Sequence, residues 1–262
     1  KNHNFTKVIH LAACVGGLYK NMRDNLDMFQ KNIKINMNVL KACHDNNINT
    51  CIVVLSSCIF PENPLRFPME ENTLHNGKPH NSNKGYAYAK RMMQVECEMY
   101  NEQYNRNYIC LAPVNLYGPF DNYSLTDGHV IPMLIHKFYN NNFEIYGSGI
   151  AKRQFLYAPD FAKIILLTLS LEITDKMIIC CNDEEHSIND LITIICQNFI
   201  LNYYKINPNI KFNNNYSDGI IKKTVSNEYF KTIFPNFHFT SLKDGIFETI
   251  KWFINNYDDI RK

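Results

Sequence analysis

The stretch Thr50-Cys-Ile-Val-Val-Leu-Ser-Ser57 decides the fold. It is uncharged and β-branched, with none of the apolar–polar alternation of a strand that shows one face to water, so it reads as a strand buried on both faces. The run from Lys7 to Ala13 and that from Asn107 to Pro113 have the same character. Between the first two lies a helical pattern, with Leu26, Phe29, Ile33, Met37 and Leu40 at three- and four-residue steps behind a capping Asp24 or Asn25. A second helix is expected from about Tyr86 to Tyr104. Strand, helix, strand, helix, strand predicts an α/β chain with a parallel sheet and helices on its faces.

The pattern changes after Asn115-Leu116-Tyr117-Gly118-Pro119. A polar loop to Gly128 precedes a helix from about Val130 to Asn140 and a short strand, Phe143 to Tyr146, ended by Gly147-Ser148-Gly149. Beyond these, strands are expected at Arg153 to Tyr157 and Met177 to Cys181. Helices are expected near Asp160, after Ser187 and after Thr240, with a loop over Asn213 to Asp218. The segment Pro61 to Lys84 is a long polar loop, the kind that is usually functional inside a compact domain.

Composition narrows the function classes. The chain has 262 residues, with 27 Lys+Arg against 25 Asp+Glu for a net charge of +2, which leaves no basic footprint for nucleic acid or an anionic membrane surface. No apolar stretch approaches about 18 residues, so no transmembrane helix is expected. Nine cysteines with no CxxC spacing, mostly in apolar runs, read as reduced, buried thiols of a cytoplasmic protein, with neither disulfide frame nor metal site.

Tyr86 and Lys90 carry the first chemistry. Four apart on a helix, they share a face, where an ammonium favours the phenolate and is expected to lower the phenol toward the working pH for a carbinol–carbonyl interconversion. Ser56 and Ser57 end a buried strand, and ligands of open α/β sheets bind beyond the carboxyl ends of the strands. Cys58 and His129 are a thiol and an imidazole able to remove and return a proton. As an isolated pair of residues each is more often structural than chemical.

Leu11-Ala12-Ala13 after a strand, Ser56 and Tyr86-x-x-x-Lys90 resemble the extended short-chain dehydrogenase/reductases that act on nucleotide sugars with a nicotinamide cofactor. Longer strings narrow the likeness: Val15-Gly16-Gly17-Leu18, Ser57-Cys58-Ile59-Phe60-Pro61, Asn115-Leu116-Tyr117-Gly118-Pro119, Asp121-Asn122, Gly128-His129-Val130-Ile131-Pro132 and Ser217-Asp218-Gly219. They are similar to the branch that epimerises GDP-4-keto-6-deoxy-D-mannose at C3 and C5 and reduces it at C4 with NADPH. The resemblance runs from Val8 to the C-terminus.

The resemblance implies a Rossmann-type doubly wound parallel sheet with a smaller mixed α/β substrate domain. It divides the chain into residues 1–119 with about 153–182 for NADP, and about 120–152 with 183–262 for the nucleotide sugar. It implies that Tyr86, Lys90 and Ser56 serve the reduction and that Cys58 and His129 serve the epimerisations. The implied cofactor contacts are Leu11, Ala12, Ala13, Leu55, Ser56, Ser57, Tyr86, Lys90, Pro113, Val114, Asn115, Leu116 and His129. The implied substrate contacts are Lys137 and Arg153 at the diphosphate, Tyr146 as an aromatic wall, and Asp218. Lys222 and Lys223 read as solvated surface. A homodimer built on the helix after Asp24 and the helix carrying Tyr86 is expected.

Family members open on a strand and a Gly-x-x-Gly-x-x-Gly turn, which no part of this sequence matches. The chain is therefore expected to be N-terminally truncated by roughly 50 residues or more, since one βαβ unit takes about 30. On that expectation the chain alone binds cofactor weakly. Two alternatives stay open: another nucleotide-sugar epimerase or dehydratase on the same scaffold, and an inactive remnant.

Overall fold

The three apolar runs pair side by side in parallel, and a fourth joins them. The computed structural model describes residues 5–171, 173, 177–202 and 208–262. In chain order the elements are β1 (Lys7–His10), α1 (Leu18–Arg23), α2 (Asn25–Asp45), β2 (Thr50–Val54), α3 (Lys84–Tyr104), β3 (Asn107–Pro113), β4 (Asn115–Tyr117) and α4 (Val130–Tyr139). They continue with β5 (Glu144–Tyr146), β6 (Lys152–Arg153), β7 (Phe155–Tyr157), α5 (Ala158–Ser170), β8 (Met177–Cys180), β9 (His186–Ser187), α6 (Ile188–Asn202), β10 (Lys211–Asn213), α7 (Glu228–Ile233) and α8 (Leu242–Asn255).

The main sheet has the order β1-β2-β3-β8, all parallel, with Cys51 opposite Val8 on one side and Tyr108 on the other. Every β3 side chain from Tyr108 to Pro113 is buried, which is why that run carries no alternation. At the edge strand β1, Ile9 is more exposed than an inner-strand residue, and Leu11 beyond it is exposed too.

α2 forms where the spacing predicts it but turns a different face inward. Its buried residues are Met28, Asn32, Asn36, Leu40 and Cys43, while Leu26 and Met37 of the apolar stripe stay exposed. Two asparagines fit the interior because each bonds backbone, as buried polar groups must. Asn32 Nδ2 donates to the Cys14 and Met28 carbonyls at 2.9 and 2.7 Å and its Oδ1 accepts the Cys14 N–H at 2.9 Å. Asn36 Nδ2 donates to the Ala89 carbonyl at 3.3 Å, tying α2 to α3.

The buried apolar residues form two clusters. The first gathers the main sheet with Leu40, Met93, Phe161, Ile164 and Ile165. It also takes in Val225, Phe230 and Phe234, which follow residue 183 in the chain. The second holds Ile131, Leu134 and Phe138 of α4, Ile195 and Phe199 of α6, and Ile246 and Phe253 of α8. β7 sits on the seam, since alternation along the strand sends Phe155 into the second cluster and Leu156 into the first. Buried Gln154 braces the same seam, donating to the Asn182 and Val225 carbonyls at 3.1 Å each and accepting the Val225 N–H at 2.9 Å.

Candidate active site

β2 runs out at Val54, and the chain beyond its carboxyl end turns at once. Ser56 caps a single 3-10 turn, Ser57–Ile59, its Oγ accepting the Cys58 N–H at 3.3 Å. That turn brings Ser56 and Cys58 to the rim of a cleft of about 720 Å³, while Ser57 is buried. The size is that of a small-molecule site.

α3 supplies the next pair. Lys90 is 2% exposed, and its ammonium donates to the Val54 carbonyl at 2.7 Å, which pins α3 to the carboxyl end of β2. The first turn of α3 is pressed so closely on α2 that a Cβ at Gly85 would stand 1.9 Å from the Asn25 carbonyl oxygen, so only glycine fits there. Tyr86 follows directly and also lines the cleft.

The protonation balance differs from the sequence expectation. Burial pushes the Tyr86 phenol up from its ordinary range, and the neighbouring Cys58 and Cys14 thiols add to that. Lys90 does not pull it down because its ammonium is bonded to Val54, 5.9 Å from the centre of the Tyr86 ring. Lys90 itself is lowered to about 8, chiefly by burial, with the Cys58 and Cys110 thiols opposing.

His129 reaches the same cleft from the other side. It is the N-cap residue of α4, but its side chain makes no capping bond, so the imidazole is left to the cleft. Its Nδ1 lies 3.8 Å from Oδ1 of Asp121.

Two further cations, Arg153 and Lys223, line the cleft. The Arg153 guanidinium donates to the Lys152 carbonyl at 2.7 Å and the Asp218 carbonyl at 3.4 Å, and burial lowers it below its usual range. The Asp218 carboxylate is occupied on the opposite side by the Ser148 N–H and hydroxyl, both at 2.8 Å. Lys223, read from the sequence as solvated surface, is instead half-buried in the cleft wall and lowered to about 8, chiefly by burial, with Cys58 opposing and the Arg153 guanidinium adding to it. A lone pair of lysines in a polar stretch carries no mark that the fold will cover one of them.

Tyr146 forms part of the wall, stacked on Tyr216 with ring centres 4.0 Å apart and met edge-on by Tyr19 at 5.9 Å. Lys137 is not in the lining. Its ammonium donates to the Glu144 carbonyl at 2.8 Å and lies 3.5 Å from the centre of the Tyr146 ring, so it braces that wall through a cation–π contact. Tyr19 and Tyr216 escaped the sequence reading, the latter because it lies in an Asn-rich loop.

The cleft therefore brings together Leu11, Ala13, Leu55, Ser56, Cys58, Tyr86, Lys90, Pro113, Val114, Asn115, Leu116, His129, Tyr146, Arg153 and Asp218. Ala12, Ser57 and Lys137 stand outside its lining. Among the described residues no cluster of metal-ligating side chains occurs, and no helix is long and apolar enough to cross a membrane.

Residues 1–179 match the model of the NAD dependent epimerase/dehydratase family. The chain is 43% identical to the GDP-L-fucose synthase of Dictyostelium discoideum over 98% of its own length and 81% of that protein's. It is 36% identical to a probable GDP-L-fucose synthase of Drosophila melanogaster, over 98% and 83% respectively. Its structure superposes with a TM-score of 0.88 on the crystal structure of a GDP-L-fucose synthetase from Naegleria fowleri bound to NADP, at 37% identity, covering 99% of this chain and 80% of that one. With its parallel sheet, its Tyr86–Lys90 pair at the carboxyl edge and this similarity over nearly its whole length, the chain belongs to the NAD dependent epimerase/dehydratase family.

Proposed function

We propose that the protein is a cytoplasmic epimerase–reductase that converts GDP-4-keto-6-deoxy-D-mannose to GDP-L-fucose with NADPH. The observation that carries the reading is the meeting of Cys58 and His129 with Ser56, Tyr86 and Lys90 around one cleft. A plain nucleotide-sugar 4-epimerase has no need of the first two. The names of the relatives from Dictyostelium discoideum and Naegleria fowleri support the same substrate and cofactor.

The residues at the nicotinamide-ribose end fit a dinucleotide. Lys90 is a buried ammonium with one carbonyl partner at 2.7 Å and three protons to donate, which suits ribose hydroxyls. Leu55 and Pro113 to Leu116 give this end a mostly apolar lining. When bound, a reduced nicotinamide supplies a hydride to C4. Tyr86, kept protonated by its burial, donates its proton to the alkoxide oxygen formed there, and Ser56 holds that oxygen by hydrogen bond.

Protons on the carbons flanking a 4-keto group are acidic. The Cys58 thiolate removes one of them, the resulting enolate oxygen is held by Ser56 and Tyr86, and His129 returns a proton to the opposite face. The same exchange at the second carbon completes the double inversion, and between turns Cys58 releases the proton it has taken to solvent while His129 takes one up. Arg153 and Lys223 suit the GDP diphosphate, two half-buried cations on one wall, and Arg153 can present a planar fork. In this reading residues 1–119 with about 153–182 hold the cofactor, and about 120–152 with 183–262 hold the sugar.

Leu26 and Met37, the apolar residues left outside on α2, and Met92 and Met99 of α3 are all exposed, and the two helices pack on one another. Packed against the same surface of a second copy, the stripe forms a helical bundle, so the protein is read as a homodimer.

Three measurements test this reading. With NADPH and the keto-sugar, the product is expected to be GDP-L-fucose by NMR, and Tyr86→Phe should slow the reduction by about 10²- to 10⁴-fold; a product reduced at C4 but not inverted at C3 and C5 would remove the role of Cys58 and His129. Lys223 is charged below about 8 and neutral above it, so KM for the GDP-sugar should rise as pH passes that value. Lys223→Met should raise KM at pH 7 by about 10-fold or more and flatten that rise, since a charge-assisted bond is worth about 1.5–3 kcal/mol; an unchanged pH profile in Lys223→Met would take Lys223 out of the binding site. Light scattering should give about twice the 30.7 kDa chain mass, and Met37→Glu with Met92→Glu should halve it; a wild-type monomer would refute the interface.

A further inference from the structure

The Gly118-to-Gly128 loop contains a carboxylate that the reaction as described leaves unused. Asp121 lines the cleft beside His129, with Oδ1 3.8 Å from Nδ1 of the imidazole. The loop that carries it is braced. The Tyr123 hydroxyl donates to the Gly118 carbonyl at 3.2 Å, the Tyr123 N–H donates to the Arg261 carbonyl at 2.9 Å, and the Gly128 N–H closes on the Ser124 carbonyl at 3.1 Å. Phe120, just before Asp121, takes a left-handed backbone with φ 65°, a conformation bulky residues rarely hold unless their surroundings impose it. Its ring is seated on Trp252, 4.7 Å between centres.

The charges nearby are already assigned. Asp127, two residues before His129, faces Lys20 at 3.8 Å and Arg23 at 3.6 Å on α1. Among the described residues, the ion-pair partner of Asp121 is His129 alone, and its side chain is 16% exposed against 46% for the imidazole. The other titratable groups lining the cleft are Tyr19, Cys58, Tyr86, Lys90, Tyr117, Tyr146, Arg153, Asp218 and Lys223.

We infer that Asp121 is a positioning residue for His129. Resting on the proton-returning role of His129 proposed above, the inference adds what orients it. A carboxylate facing Nδ1 draws the ring proton to that nitrogen, which leaves Nε2 as the atom presented to the cleft. When the ring is charged, ready to give a proton to the sugar, the positive end of α4 at its back opposes that charge and the carboxylate offsets it. At 3.8 Å the two groups stand at ion-pair distance, so a charged imidazole and the carboxylate attract one another directly.

A simple turn role makes a different prediction. Asp121 Oδ1 also accepts the Asn122 N–H at 2.7 Å, a local bond that an asparagine serves equally well. Asp121→Asn therefore keeps the turn and removes only the charge. Wild type, Asp121→Asn and His129→Gln are compared by deuterium uptake at C3 and C5 of GDP-4-keto-6-deoxy-D-mannose in D₂O, by KM, by thermal midpoint and by ¹⁵N NMR of labelled histidine. The expected result for Asp121→Asn is an unchanged midpoint, KM within about twofold, deuterium uptake slower by about 10- to 100-fold and a shift of the His129 ring proton from Nδ1 toward Nε2. Slow uptake in His129→Gln with wild-type uptake and an unmoved ring proton in Asp121→Asn would overturn the pairing while leaving the role of His129 standing. Wild-type uptake in His129→Gln would overturn that role, and this inference with it.

Discussion

One buried hydrogen bond organises the site: the Lys90 ammonium on the Val54 carbonyl, 2.7 Å apart. A lysine 2% exposed is costly to bury as a cation, and burial accordingly lowers it to about 8. The bond it makes ties α3 to the carboxyl end of β2, so the phenol one turn earlier arrives beside the Ser56–Cys58 turn. Arg91, one residue on, adds a second tie by donating from Nε to the Ile59 carbonyl, so the Tyr86 side chain and the Cys58 turn are held in a fixed relation. Gly85 against Asn25 fixes the first turn of the same helix.

The cleft then divides by chemistry. The wall beneath β2 and α3 carries Ser56, Cys58, Tyr86 and Lys90, in our reading the groups that move protons beside the place for a hydride carrier. The wall from β5, β6 and the loop ending at Lys223 carries cations and stacked tyrosines. The seam strand β7, with Phe155 in one core cluster and Leu156 in the other, joins the two walls in one backbone. In our reading a sugar diphosphate laid across the cleft meets the proton-moving groups at its ring and positive charge at its phosphates.

Much of this was legible in the sequence because it follows from period and strand position. The three apolar runs became β1, β2 and β3, and Ser56, Tyr86 and Lys90 met where strand-end and helix-face arguments placed them. Side-chain facing was less legible. Asn32 and Asn36 face inward on α2 because the backbone of Cys14, Met28 and Ala89 offers them partners, a long-range fact that no local pattern carries. Lys223 and Lys137 show the same limit. Both read as charge, yet one lies in the cleft wall and the other under the Tyr146 ring, since the fold alone decides what covers a lysine. The Tyr86 phenol was misjudged in sign because desolvation outweighs a cation already bonded elsewhere.

The central claim is that a thiol and an imidazole work on a single sugar ring. ¹H NMR of GDP-4-keto-6-deoxy-D-mannose incubated with the protein in D₂O, with no nicotinamide added, tests it most directly. The account predicts loss of the proton signals at both C3 and C5, and loss of that activity in Cys58→Ser. Retention of both signals in the presence of the wild-type protein would contradict it.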